Sequence, residues 1–260
     1  MGHVLVLRAL CSLIAFALCA CGQADIPVAA AEVRPAPSTS PAPVIFPETI
    51  AETVSKVSAT PLVPAEAIDL IVSFEVGSPE LYEQRYTHPI WPGAASGPTW
   101  GIGYDGGHRA ASVILVDWEA HPHAARLASA SGITGPIARE WVRVAADISV
   151  EWDLARVVFD QTSLVEHYRI ARRVFGAPFD RAPGAVRGSL TSLVFNRGGS
   201  MRGDGRREMR TIRDECLPAG DWNCVAAELR GMTRIWRGSS IEGGMKRRRE
   251  AEARLAESAT

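Results

Sequence analysis

The prolines of this chain are unevenly placed, and their distribution confines where it can fold. Eight of the 17 are Pro27, Pro35, Pro37, Pro41, Pro43, Pro47, Pro61 and Pro64, in a stretch from Gly22 to Pro64 that is rich in Ala, Ser and Thr. Proline has no N–H to give to a helix or a central strand. A segment with so few large apolar groups cannot bury enough surface to offset the entropy of ordering itself. It reads as an extended tether, reaching about 3 Å per residue. Folding is therefore expected within residues 65–260, a length that suits one well-buried domain. The formal net charge of -1 gives no sign of a nucleic-acid partner.

Upstream of the tether, Met1 to Arg8 is a short n-region with one Arg, followed by an apolar run from Ala9 to Ala20. The run is too short to span a bilayer and suits the h-region of a signal peptide, residues 1–20. It ends in Leu18-Cys19-Ala20-Cys21, which resembles the lipobox of bacterial lipoproteins. That resemblance implies cleavage before Cys21, a diacylglycerol on its thiol, and a membrane partner through that lipid, with residues 21–64 as the lipidated tether. Gly22 after Cys21, rather than Asp, implies outer-membrane delivery in a Gram-negative envelope. A plain secretory signal with an incidental Cys is the alternative; both imply export. Cys11 and Cys19 leave with the signal, so Cys216 and Cys224 remain as a single pair in an oxidising compartment. A disulfide there would stabilise by roughly 2.5 kcal/mol on the loop-entropy model. No His lies at ligand spacing beside either Cys, and His88, His108, His121, His123 and His167 are not spaced like ligands, so neither metal nor cofactor is expected.

From Ala65 the patterning is mostly helical. Ile68, Ile71, Val72 and Glu75 fall at i, i+3, i+4 and i+7, one stripe of a helix. Pro79 to Glu83 reads as an exposed helical turn. A Gly- and Pro-containing region, His88 to Gly107, holds one strand-like alternation. Helical patterns follow near Trp118 to Ala130, Gly135 to Asp147 and Glu151 to Phe175. A buried helix through Val186, Leu190, Leu193 and Val194 stops at Gly198-Gly199, and further helices cover Arg206 to Cys216, Asp221 to Trp236 and Gly244 to Glu257. A small β region near the start, then many helices, makes an α+β domain.

Glu75 shares its stripe with three aliphatic side chains. An ionised carboxylate is costly in such surroundings, so they would favour the protonated form, which a glycosidase needs to protonate a leaving oxygen. Starting 24 residues on, Thr99-Trp100-Gly101-Ile102-Gly103-Tyr104-Asp105 alternates, with Trp100, Ile102 and Tyr104 on one side. Thr99 and Asp105 would lie roughly 20 Å apart in an extended strand. They can serve one reacting centre only if the chain turns back, which Gly103, Gly106 and Gly107 are placed to permit.

Glu75, this Thr-x-Gly-x-Gly segment, Leu193-Val194-Phe195-Asn196-Arg197-Gly198-Gly199 and Gly243-Gly244-Met245-Lys246-Arg247-Arg248-Arg249-Glu250-Ala251-Glu252 form an ordered set. The set resembles the phage-type lysozymes and, more closely, the lysozyme-like catalytic domain of pesticin and its relatives, over about residues 66–258. The closer likeness rests on Trp91-Pro92-Gly93, Ser96-Gly97, Gly101 to Asp105 and Ser192 to Gly198. It implies a lysozyme-like fold and a muramidase, a glycoside hydrolase whose partner is the glycan strand of peptidoglycan. By motif Glu75 matches the general acid, Thr99 the threonine beside the attacked carbon, and Asp105 the aspartate of the pesticin-like branch, as base or electrostatic stabiliser. Phage enzymes carry that Asp between the Glu and the Thr, whereas Val76 to Pro98 offers only Glu80 and Glu83. Trp100 replaces the aliphatic residue usual after the Thr and is expected to face outward. An inhibitor or immunity partner is not identified by the resemblance.

Tyr104 and Asn196 are candidates for sugar binding, the first by stacking and the second by hydrogen bonding an N-acetyl group; core packing is the favoured role for Tyr104, and a structural role is an even alternative for Asn196. Between Arg197 and Arg249 there are thirteen Lys and Arg against seven Asp and Glu, a field that would attract an anionic polymer. Most of these side chains are solvated helix faces. Arg248 differs: it shares a stripe with Gly244, Ala251 and Leu255, which directs it inward toward a buried acid. A lytic transglycosylase, which needs Glu75 alone, and a non-catalytic wall-binding lipoprotein are the competing functions.

Overall fold

The computed structural model describes residues 62–259. The signal-peptide and tether readings, and Cys21, lie outside them. Among the described residues there are thirteen α-helices and one hairpin. Helix α1 spans Ala65–Glu75 and α2 Pro79–Arg85, followed by strands β1 (Thr99–Trp100) and β2 (Tyr104–Asp105). Then come α3 (Ala111–Asp117), α4 (Ala124–Ala128), α5 (Pro136–Val144), α6 (Trp152–Gln161), α7 (Ser163–Phe175) and α8 (Ala177–Arg181). The remainder is α9 (Gly184–Arg197), α10 (Arg207–Thr211), α11 (Leu217–Ala219), α12 (Trp222–Gly231) and α13 (Glu242–Glu257). A mostly helical α+β fold with a small β region is thus observed.

Local chemistry sets many of the boundaries. Ser78 caps α2 by accepting the Leu81 N–H at 3.2 Å with Pro79 at the first helical position, and Asp221 caps α12 by accepting the Cys224 N–H at 2.9 Å. Gly198 ends α9 with φ of 69°, as the paired glycines predict. Three expectations give way. Trp118 to Ala130 is no continuous helix: α3 ends at Asp117, and α4 begins only at Ala124. Glu151 to Phe175 divides at Thr162, whose φ and ψ of -117° and -82° leave the helical region. The turn at Pro79 is not wholly exposed, because Tyr82 is fully buried and its hydroxyl donates to the Val150 carbonyl at 2.9 Å.

Buried apolar groups form two clusters. The first joins Ile71 and Val72 of α1, the hairpin's Trp100 and Tyr104, Trp118 and Phe159. The second joins Phe175, Leu190, Leu193, Ile212, Val225 and Ala253. Helix α7 runs from one to the other: Leu164 belongs to the first and Ala171 and Phe175 to the second, while Tyr168 packs on both. Helix α9 meets α1 closely, since a Cβ built on Gly188 would lie 2.3 Å from the Ala67 Cβ. Cys216 and Cys224 are joined by a disulfide with Cα atoms 5.4 Å apart.

Candidate active site

Glu75 is the last residue of α1. Ile68, Ile71 and Val72 are buried, and that seating directs the next residue of the stripe to the rim, where the Glu75 side chain is 24% exposed. Its surroundings are not the apolar ones the stripe predicts. Glu75 Oε1 accepts from Arg248 Nη1 at 2.9 Å, and Arg248, buried on α13, lies with its guanidinium carbon 5.3 Å from the centre of the Phe74 ring. The missing element in the sequence reading is a cation brought in from the far end of the chain. The inward direction expected for Arg248 is observed.

Arg248 is itself held. Its Nε reaches Glu252 Oε1 at 3.3 Å, one turn along α13. The same oxygen accepts from Arg249 Nη2 at 2.8 Å and from Ser192 Oγ of α9 at 2.7 Å. Ser189 Oγ donates to the Glu252 carbonyl at 2.7 Å. Arg249 and Glu252 are both fully buried, and burial lowers the Arg249 guanidinium to about 10. Three helices distant in sequence, α1, α9 and α13, therefore meet on one ionic network.

The second half of the candidate site is the hairpin. Thr99 pairs with Asp105 and Trp100 with Tyr104 in antiparallel register, and Ile90 bridges to Thr99 on the other side. The chain does turn back between Thr99 and Asp105. It does so at Gly101 and Gly103, with φ of 58° and 74°, while Gly106 and Gly107 enter a short 3-10 turn. Asp105 accepts the Gly97 N–H on both carboxylate oxygens at 3.1 and 3.2 Å, and the Gly107 N–H at 3.1 Å. The carboxylate thus clasps two backbone segments together and remains 29% exposed. His108 Nε2 stands 3.8 Å from Asp105 Oδ2. Thr99 Oγ1 donates to the Gly97 carbonyl at 3.2 Å, which leaves its lone pairs to accept.

The hairpin's aromatic side faces inward. Trp100 is 1% exposed and packs against Tyr104, Trp118 and Trp141 with ring centres 5.4 to 6.0 Å apart, so the outward orientation expected for it is wrong. The small Gly106 makes room: a Cβ there would lie 2.1 Å from the indole. Tyr104 is equally buried, its hydroxyl donating to Asp117 Oδ2 at 2.7 Å and its ring carrying the Arg109 guanidinium at 4.6 Å. Burial first, and then that hydrogen bond, hold its phenol well above the usual range. The stacking role for Tyr104 is therefore corrected: it offers no face to a sugar. Asn196 is half-buried at the end of α9, and its Oδ1 accepts from Arg249 Nη2 at 3.2 Å, leaving its Nδ2 donors for another partner.

Helix α1 and the hairpin thus share one core through their apolar side chains, while Glu75 and Asp105 belong to separate hydrogen-bond systems, one ionic and one backbone-based. A cleft of about 430 Å³ lies elsewhere, lined by Arg109, Asp117, Glu166, Arg169 and Arg173 among others, and includes none of Glu75, Thr99 or Asp105. Among the described residues no three His, Cys, Asp or Glu are grouped to hold a metal ion. Arg249 and Glu252 were not singled out from sequence. The available signal was spacing, since Arg248 and Arg249 stand four and three residues before Glu252. No family model matches the chain, and no curated protein matches it.

Proposed function

We propose that this chain is a peptidoglycan hydrolase that cuts the β-1,4 bond between N-acetylmuramic acid and N-acetylglucosamine. The reading rests chiefly on one observation: a partly exposed carboxylate closes the first helix and is gripped by a buried arginine of α13, and the apolar face of that first helix packs in one core with the hairpin that pairs Thr99 with Asp105. In this reading Glu75 gives its proton to the glycosidic oxygen as the carbon–oxygen bond breaks, and the oxygen of a water bonds to the anomeric carbon. Asp105 takes the water's proton or stabilises the oxocarbenium-like centre. The Thr99 hydroxyl orients the water, and the Asn196 amide donates to an N-acetyl carbonyl. A lysozyme-like fold accompanies the reading, as does anchorage of the domain in the bacterial envelope, at the outer membrane, through a lipidated Cys21.

The clasp formed by Asp105 favours a second reading. A carboxylate already accepting three backbone N–H contacts has a sufficient structural reason to exist, and a lytic transglycosylase needs only Glu75. There the muramic acid C6 hydroxyl, rather than water, would attack the anomeric carbon. Mass spectrometry of sacculi digested with the purified chain separates the two, with Glu75→Gln as control. Reducing N-acetylmuramic acid ends support the muramidase, and 1,6-anhydro ends support the transglycosylase. No products from the unmodified chain would sink both and leave a wall-binding protein.

A further inference from the structure

An acid that must be protonated to act is here bonded to a guanidinium, and a second guanidinium lies one residue along the same helix. Two uncompensated positive charges at that position would hold Glu75 ionised. We propose that Glu252 is the positioning residue that resolves this conflict: by sharing a single oxygen between Arg248 and Arg249 it aims Arg248 at Glu75 and cancels one of the two charges, so that Glu75 can take up its proton. The proposal rests on the hydrolase reading above only in giving that proton a use.

The geometry carries each part. Glu252 is fully buried, so its charge acts on the two arginines with little screening by water. Its Oε1 is fixed by Ser192 Oγ from α9 as well as by both guanidiniums, while Oε2 has no protein partner among the described residues. The charge around it is otherwise accounted for or positive. On α12 Arg230 is engaged by Glu250 and Glu257. In the turn after it Arg234 is engaged by Glu208 and Asp204, and on α1 Asp69 pairs with Arg156. Arg197 of α9 and Arg206 add positive charge at Arg249. Glu208, also buried, is the acid acting on Arg197 and is tied to Arg234 and Arg207. Glu252 is thus the one buried acid bonded to the arginine that holds Glu75.

The test is a titration of the Glu75 carboxyl by carbon-13 NMR on the whole chain, which reads the proposal without requiring turnover. Glu252→Gln should lower the Glu75 midpoint by about one pH unit or more, and Arg249→Met should raise it by a similar amount. The pair variant Arg249→Met with Glu252→Gln, in which the removed charges cancel, should return close to the wild-type midpoint. It also supplies a measurement if Glu252→Gln alone does not fold. Two single variants moving together, or not moving, would overturn the proposal, as would a pair variant that fails to return. Where wild type digests sacculi, the alkaline limb of its activity profile should move with the NMR midpoints. A wild type that digests nothing would remove the hydrolase reading and leave the titration to decide on Glu252.

Discussion

Two carboxylates, Glu75 and Asp105, are held in opposite ways. Asp105 is gripped by backbone: its partners Gly97 and Gly107 lie eight and two residues away, and the hairpin could form these bonds almost on its own. Glu75 is gripped by a side chain 173 residues away that is itself fixed by a buried acid. The first arrangement makes a rigid local shape, whereas the second makes a charge whose field depends on the packing of three helices.

The contrast can be broken most sharply at Arg248. Replacing it with Met leaves Glu75 unpaired and Glu252 with one guanidinium, and should cost about 3 kcal/mol or more of stability, read by chemical denaturation. Glu75→Gln keeps a hydrogen-bond acceptor for Arg248 but removes the proton donor. It should leave the fold intact and lower release of soluble fragments from labelled sacculi by at least about 100-fold. Asp105→Ala removes the acceptor for the Gly97 and Gly107 N–H groups and should cost about 2 kcal/mol by thermal unfolding. Asp105→Asn retains one carbonyl acceptor and should cost less; activity surviving in it would favour the single-acid reading.

The smallest effect concerns Tyr104. Its phenol is held neutral in the folded protein, by burial and then by the bond to Asp117, above the range in which an unfolded tyrosine titrates. The raised value means that this contribution is complete below pH about 10 and fades as pH rises further, because the unfolded chain ionises first. Tyr104→Phe should therefore lose about 1 kcal/mol at neutral pH, and the gap between the two proteins should narrow above pH about 10. A gap that stays constant with pH would mean that the phenol ionises as readily in the folded protein as in the unfolded chain.

The same contrast explains what was legible in the sequence. Helix α1, the stop of α9 at Gly198 and the reversal between Thr99 and Asp105 follow from spacing within a few residues, and all three are present. The continuous pattern from Glu151 to Phe175 hid a break, because Thr162 departs from helical geometry without a proline or glycine to mark it. Trp100 was misplaced because a two-residue strand leading into a turn does not keep one face for water, and a cluster of Trp118, Trp141 and Tyr104 was waiting to bury it. The inward direction of Arg248 could be read from its stripe, but its partnership with Glu75 could not, since nothing local links two helices at opposite ends of a domain. Nothing local marks Arg249 as buried either: a run of four basic residues looks like surface until the helix is docked.

The bond between Glu75 and Arg248 also has a bearing on time. A ribosome making this chain from its N-terminus completes α1 long before it reaches α13, so the acid exists for most of synthesis without the arginine that holds it. The Asp105 carboxylate, by contrast, has both its backbone partners as soon as residue 107 has emerged. A chain stopped between residues 107 and 247 would carry Glu75, Thr99 and Asp105 in full and still lack the clamp. The clamp on Glu75 therefore forms only after α13 has been made, later than the backbone clasp of Asp105.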